Sequence, residues 1–131
     1  MKIKTLLMGA AATAMFAGVA TAKDLTVVSW GGAYTVSQVE AYHKPWIAAT
    51  GNSIVSTDYS GGLAEVKSQV EAGNVTWDLV DVELSDAIRG CDEGLFEEID
   101  ASMLPAAPDG TSAEDDFLPG TLHDCAVSNI F

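Results

Sequence analysis

Basic residues are scarce in this chain. Six Lys and Arg stand against nineteen Asp and Glu over 131 residues, a formal net charge of −13. So acidic a surface repels nucleic acid and anionic membranes, and no nucleic-acid partner is expected. Histidine is limited to His43 and His123 and cysteine to Cys91 and Cys125, and their spacing matches no common zinc pattern. The acidic run Glu114-Asp115-Asp116 does not follow a calcium-loop spacing and reads as a solvated face. Neither phosphate-binding fingerprint, G-x-G-x-x-G or G-x-x-x-x-G-K-[ST], occurs, and the G-x-S-x-G nucleophile elbow is absent. No apolar run reaches the roughly 20 residues of a membrane-spanning helix. Internal repeats and low-complexity tracts are also missing. No cofactor, metal or catalytic residue is therefore expected.

What is present begins with a secretory signal over residues 1–22. Lys2 and Lys4 form a basic start, residues 6–19 a short apolar stretch, and Ala20-Thr21-Ala22 a small-residue cleavage site. The expected mature chain is residues 23–131, exported to a bacterial periplasm. It keeps four cations (Lys23, Lys44, Lys67, Arg89) against the nineteen carboxylates, a net −15. Such a charge favours cationic partners, and it also keeps exported proteins soluble. The mature length suits one domain. Residues 126–131 run apolar to the end without a polar tail, so a fragment of a longer chain is expected. Two cysteines in an exported chain pair, and a Cys91–Cys125 bridge would close a loop of about 35 residues. The competing reading groups Cys125 with His123 and Asp124 as a nucleophile or metal cluster.

Hydrophobic patterning predicts alternating strands and helices. Residues 25–30 read as a first strand rich in β-branched side chains. A helix follows over residues 34–49, with Val36, Val39, Tyr42, His43, Trp46 and Ile47 spaced to face a sheet and Pro45 expected to kink it. His43 reads as a packed histidine. After the Thr50-Gly51-Asn52 stop, residues 53–59 form a second strand. Ser60 is the expected N-cap of a helix whose buried face is Leu63, Val66 and Val70, ending at Gly73-Asn74. Residues 77–82 read as a buried third strand in which Asp78 and Asp81 need partners or solvent at its edges. A third helix is predicted over residues 85–90 or slightly beyond, an extended piece over 95–99 and a turn at 102–104. Residues 105–119 read as a loop and 122–131 as a last strand.

Strand–helix–strand–helix–strand with short links specifies a parallel βαβαβ sheet with right-handed crossovers, an α/β fold. Its strand-to-helix junctions share one edge, where ligands bind. Those junctions are Trp30-Gly31-Gly32, Tyr59-Ser60-Gly61-Gly62 and Val82-Glu83-Leu84-Ser85. The pattern gathers Trp30, Tyr59, Ser60, Glu83 and Ser85 as a candidate pocket lip, with Gly31 and Gly32 letting a ligand approach the backbone. Taken alone, Trp30 reads first as a core aromatic beside a tight turn. An ammonium group suits the aromatic faces and the carboxylate.

The same residues carry a family resemblance. Leu-Thr-Val-Val-Ser-Trp-Gly-Gly, Tyr-Ser-Gly-Gly, Trp77-Asp78-Leu79-Val80-Asp81-Val82 and Gly94-Leu95-Phe96-Glu97-Glu98-Ile99-Asp100 occur in that order behind a signal peptide. Residues 23–131 thereby resemble the first lobe, truncated, of a periplasmic solute-binding protein of an ABC transporter, in the group similar to spermidine/putrescine-binding proteins. The resemblance implies two α/β lobes closing on a solute, a monomer, and delivery to permease subunits of an ABC importer in the inner membrane. It implies that Trp30 packs on a polyamine chain and that Ser85 lines the cleft, with Glu83 two residues before it. Polyamine binders often carry Ser-Asp after this Trp, whereas Gly31-Gly32 stand here. The implied ligand is a small amine, putrescine, spermidine or a related compound such as 4-aminobutyrate. Two other classes remain open from the residues: an exported hydrolase with catalytic residues beyond Phe131, and a free-standing acidic interaction domain.

Overall fold

A computed structural model describes residues 24–128 of the protein. The expected signal peptide, Lys23 and residues 129–131 lie outside the described residues. Three parallel strands form the central sheet in the order β2-β1-β3, where β1 is Leu25–Ser29, β2 Ile54–Asp58 and β3 Leu79–Val80. Ser29 is level with Asp58 and Val28 with Val80, so the carboxyl ends of all three strands lie together. The carboxyl end of β1 is the best-buried part among the described residues, with Val28 and Ser29 fully enclosed. The expected βαβαβ order is thus realised.

The first crossover is one rod in three parts: α1 (Gly32–Gln38), a π turn (Val39–His43) and α2 (Lys44–Thr50). Pro45 explains the π turn. It has no N–H to give the preceding turn, and its ring crowds the carbonyl four residues back. The chain widens instead of breaking, and the Lys44 N–H bonds the Val39 carbonyl five residues earlier. This also corrects the expected buried face. Gln38 and His43 are buried, whereas Val36, Tyr42 and Trp46 are exposed, because the wide turn changes which residues align. Gly51, at φ 71°, ends the rod in the left-handed cap geometry glycine favours.

Helix α3 (Ala64–Glu71) starts later than expected, and Ser60 does not cap it. Gly61 and Gly62 at positive φ extend the loop, and Leu63 precedes the first turn. Leu63 and Val66 are buried as predicted. Strand β3 is shorter than expected and Leu79 is largely exposed. Backbone bonds from Asp78 to Thr26 (3.0 Å) and from Asp81 to Val28 (2.9 Å) continue its alignment with β1.

Helix α4 (Leu84–Asp92) follows β3 and packs Gly90 against the Phe96 ring. Residues 95–99 are extended without joining the sheet, and Ile99 bonds the Asp124 carbonyl at 2.6 Å. A 3₁₀ turn at Ala101–Met103 is capped by Asp100. Inside the expected loop, the acidic run forms a one-turn helix α5 (Ala113–Asp116), with the Ser112 hydroxyl bonded to Asp115. The predicted last strand is instead a hairpin, β4 (Leu122–His123) with β5 (Ala126–Val127). Asp124 and Cys125 make its turn, and Cys125 is bridged to Cys91 of α4 with Cα atoms 5.7 Å apart. The bridge anchors the chain at the position where it reverses.

Candidate functional site

The three junctions meet at the carboxyl edge of the sheet through one chain of hydrogen bonds. The Trp30 indole N–H donates to the Tyr59 hydroxyl. The Tyr59 O–H donates in turn to the Asp81 carbonyl. A residue after β1 is thereby tied through one after β2 to one after β3. Burial raises the Tyr59 phenol above its ordinary value, and the nearby Asp81, Asp86 and Glu65 add to that, while the indole bond opposes it. Tyr59 also meets Trp77 edge-on at 5.4 Å between ring centres. It is therefore a buried brace behind the edge.

Trp30 remains half-exposed and pairs with the Tyr34 ring at 5.0 Å, tilted by 31°. Its position follows from the turn after it. Gly31 adopts φ 86° and ψ 179°, a conformation that side chains oppose. A Cβ there would also stand 3.1 Å from a carboxylate oxygen of Asp58. The Gly31 N–H donates to the Thr35 hydroxyl (2.9 Å), which donates to Asp58 (2.8 Å). The end of β2 thus secures the turn that follows β1. Gly32 faces open space.

Beside the ring pair lies Asp81, whose carboxylate accepts the Gln38 side-chain amide at 2.7 Å. Glu83 stands immediately before α4 with its side chain exposed, and its carbonyl accepts the first-turn N–H groups of Asp86 and Ala87. Trp30, Tyr34, Gln38, Asp81 and Glu83 line one cleft of about 1230 Å³ that runs from the carboxyl edge along the sheet face. Its volume exceeds the roughly 300–1,000 Å³ of a small-molecule pocket. The cleft therefore contains more than a ligand position: its far end is apolar wall, including Leu25, Ile54 and Val75.

Of the residues singled out from sequence, Trp30 and Glu83 share this cleft. Gly31 and Gly32 shape the turn beside it, and Tyr59 lies buried behind. Ser60 and Ser85 are exposed near the edge but do not line the cleft. Sequence reasoning missed Tyr34, Gln38 and the Thr35–Asp58 pair. Asp81 carried a signal, being an acid in an apolar strand that needed a partner. Among the described residues, no group of three or more His, Cys, Asp or Glu could hold a metal ion.

Comparison with known proteins bears on the fold. No family model matches the chain. Over 109 residues it is 42% identical to a gamma-aminobutyric acid-binding protein of Pseudomonas aeruginosa, covering 83% of this chain and 29% of that protein. It superposes on the periplasmic binding protein (PBP) MotA of A. tumefaciens B6, solved with glucopine. There the TM-score is 0.66 and the identity 26%, over 78% of this chain and 29% of that one. For the PBP AgtB of A. tumefaciens R10, solved with agropinic acid, the TM-score is 0.59 and the identity 38%, over 63% of this chain and 26% of the other. The chain spans less than a third of the length of each. Its fold is that of a periplasmic-binding-protein α/β lobe. All three are named as binding proteins.

Proposed function

We propose that this chain is the first lobe, residues 23–131, of a periplasmic solute-binding protein that delivers a small amino-bearing solute to an ABC permease of the inner membrane. One observation carries the reading: three parallel strand ends, tied by the Trp30–Tyr59–Asp81 chain, set the Trp30–Tyr34 ring pair and the carboxylates of Asp81 and Glu83 around one cleft. Aromatic faces and carboxylates attract an ammonium group and leave the carboxylate of an amino-acid ligand to groups beyond this half of the site. The cleft needs no nucleophile for this role, because binding and release are the whole task.

Within that class, a short amino acid of the 4-aminobutyrate type is the better-supported ligand. The 42%-identical relative is named for gamma-aminobutyric acid. The Gly31-Gly32 turn, moreover, lacks the acidic side chain with which a polyamine site would hold a second amine. Trp30, Gly31, Gly32, Tyr59, Ser60, Glu83 and Ser85 are the residues proposed to form or support this half of the site. A second lobe would close over the ligand and complete it.

Calorimetric titration of the full-length protein with 4-aminobutyrate, putrescine and spermidine tests the proposal. Saturable binding of 4-aminobutyrate, tighter than that of the polyamines, is expected. Tighter binding of putrescine or spermidine would return the ligand to the polyamine class, and no heat with any amine would sink the proposal. Trp30→Ala and Glu83→Gln should each weaken binding by about 1 kcal/mol or more.

A further inference from the structure

We propose that Gln38 and Asp81 form the amine-binding pair of the cleft, with the Gln38 side-chain oxygen selecting a ligand that carries N–H donors. The inference rests on the reading that the cleft takes an amino-bearing solute, and it names the groups that hold the amine.

Gln38 is 6% exposed, and its Nε2 donates to Asp81 Oδ2 at 2.7 Å. A carboxylate only accepts, so this bond fixes the orientation of the amide: the NH₂ faces Asp81 and the oxygen faces away. That oxygen, Oε1, is buried and has no hydrogen-bond partner among the described residues. A buried amide oxygen left without a donor is costly. Both residues line the cleft beside Trp30 and Tyr34. A donor entering through the cleft would supply the missing bond once a small side-chain movement uncovers the oxygen.

A primary ammonium meets that requirement. It carries three N–H donors and a positive charge, so it can give one bond to Oε1 and another to the Asp81 carboxylate. The Asp81 carboxylate accepts the Gln38 amide and supplies the negative charge that draws a cation to this corner of the cleft. Carboxylate or phosphate groups of a ligand would be repelled by Asp81 and would offer Oε1 nothing. The adjacent aromatic rings suit the same cation.

The backbone explains how Gln38 comes to be buried there. Residues five apart on an uninterrupted α-helix point about 140° away from each other. The π turn at Val39–His43 bonds five residues apart and turns both Gln38 and His43 inward. Wide turns of this kind are frequent at functional positions. Here the turn serves to place one acceptor at the end of the sheet.

Gln38→Met keeps the side chain's bulk and removes the acceptor, and Asp81→Asn keeps the shape and removes the charge. In calorimetry on the full-length protein, each should weaken 4-aminobutyrate binding ten-fold or more, with Asp81→Asn the larger loss. The thermal midpoint of unliganded Gln38→Met should stay within about 2 °C of wild type, since the orphaned oxygen leaves together with the Nε2 bond to Asp81. Affinity within two-fold of wild type in Gln38→Met overturns the pair even when the wild type binds well. A loss of affinity matched by a large fall in thermal midpoint also overturns it, because Gln38 would then be structural. If Gln38→Met does not fold, Asp81→Asn decides, and unchanged affinity there counts against the pair. A wild type that binds no amine rejects the functional reading itself, and this inference with it.

Discussion

Residues 24–92 and residues 93–128 keep their shape by different means. In the first region, β1 pairs with β2 along five successive positions and with β3 along two, and Leu63, Val66 and Ala87 are buried. In the second, the regular pieces are a 3₁₀ turn, a one-turn helix and a hairpin of two-residue strands. Nothing there is long enough to nucleate on its own. Tertiary ties replace ladders: the Cys91–Cys125 bridge, the Phe96 ring on Gly90, and the bond from Ile99 to Asp124. The polar and aromatic residues proposed to meet the ligand, Trp30, Tyr34, Gln38, Asp81 and Glu83, lie in the first region, where the backbone itself holds the geometry, while residues of the second, Phe96 and Val127 among them, complete the cleft wall. A binding edge has to be rigid, and a parallel ladder provides that without covalent help.

Removing the bridge is the strongest way to break this comparison. Cys91→Ser with Cys125→Ser should cost about 3–4 kcal/mol in denaturant unfolding, from the entropy returned to the unfolded chain. Hydrogen exchange should then show residues 93–128 opening while β1 and β2 stay protected. Equal loss of protection in both regions would mean that the two are not separately held. Gly90→Ala attacks the next tie, because a Cβ there overlaps the Phe96 ring. It should cost about 1–3 kcal/mol, and Phe96→Leu in the same chain should recover part of it.

Within the first region, Tyr59→Phe removes the link between junctions and should cost about 1 kcal/mol. It should also change the alkaline limb of stability. The raised phenol means that the folded protein holds this proton more tightly than the unfolded chain does. That stabilisation is complete below the ordinary phenol value of about 10 and is lost as pH rises through the raised one. Stability of the wild type should therefore fall more steeply above pH 10 than that of Tyr59→Phe, as followed by urea midpoints. The smallest effect expected is that of Lys67→Ala. Its 3.2 Å ion pair with Glu93 joins α3 to the end of α4 across solvent, and its loss should cost less than about 1 kcal/mol.

Strands β1 and β2 were readable because they are β-branched runs with glycines soon after them, and the positive φ of Gly31, Gly51, Gly61 and Gly62 places turns where those glycines suggested. Pairing of Cys91 with Cys125 was readable for a different reason, the scarcity of alternatives. What stayed hidden depends on interactions distant in sequence. Tyr59 looks like a lip residue until its hydroxyl is seen bonded to the Asp81 carbonyl, 22 residues away. Gln38 looks like a surface glutamine because a 3.6-residue period turns it from the face that carries His43. A continuous strand over residues 122–131 was the natural reading of an apolar run, and the bridge at Cys125 makes it a hairpin instead. Trp30 and Glu83 were found because topology alone brings strand ends together. The amine-holding pair proposed above requires knowing a helix's phase.

That phase has a consequence for how this first crossover tolerates change. A π turn is an α-helix holding one residue too many, and each residue of an α-helix turns the axis by about 100°. Deleting a single residue within Val39–His43 would let the rod close into regular helix and rotate everything from Lys44 onward by that angle. Trp46 and Ile47 would change faces, and Gly51 would release the chain in a new direction ahead of β2. The extra residue thus acts as a spacer between two helical phases, one set by the ligand edge and the other by the return to the sheet.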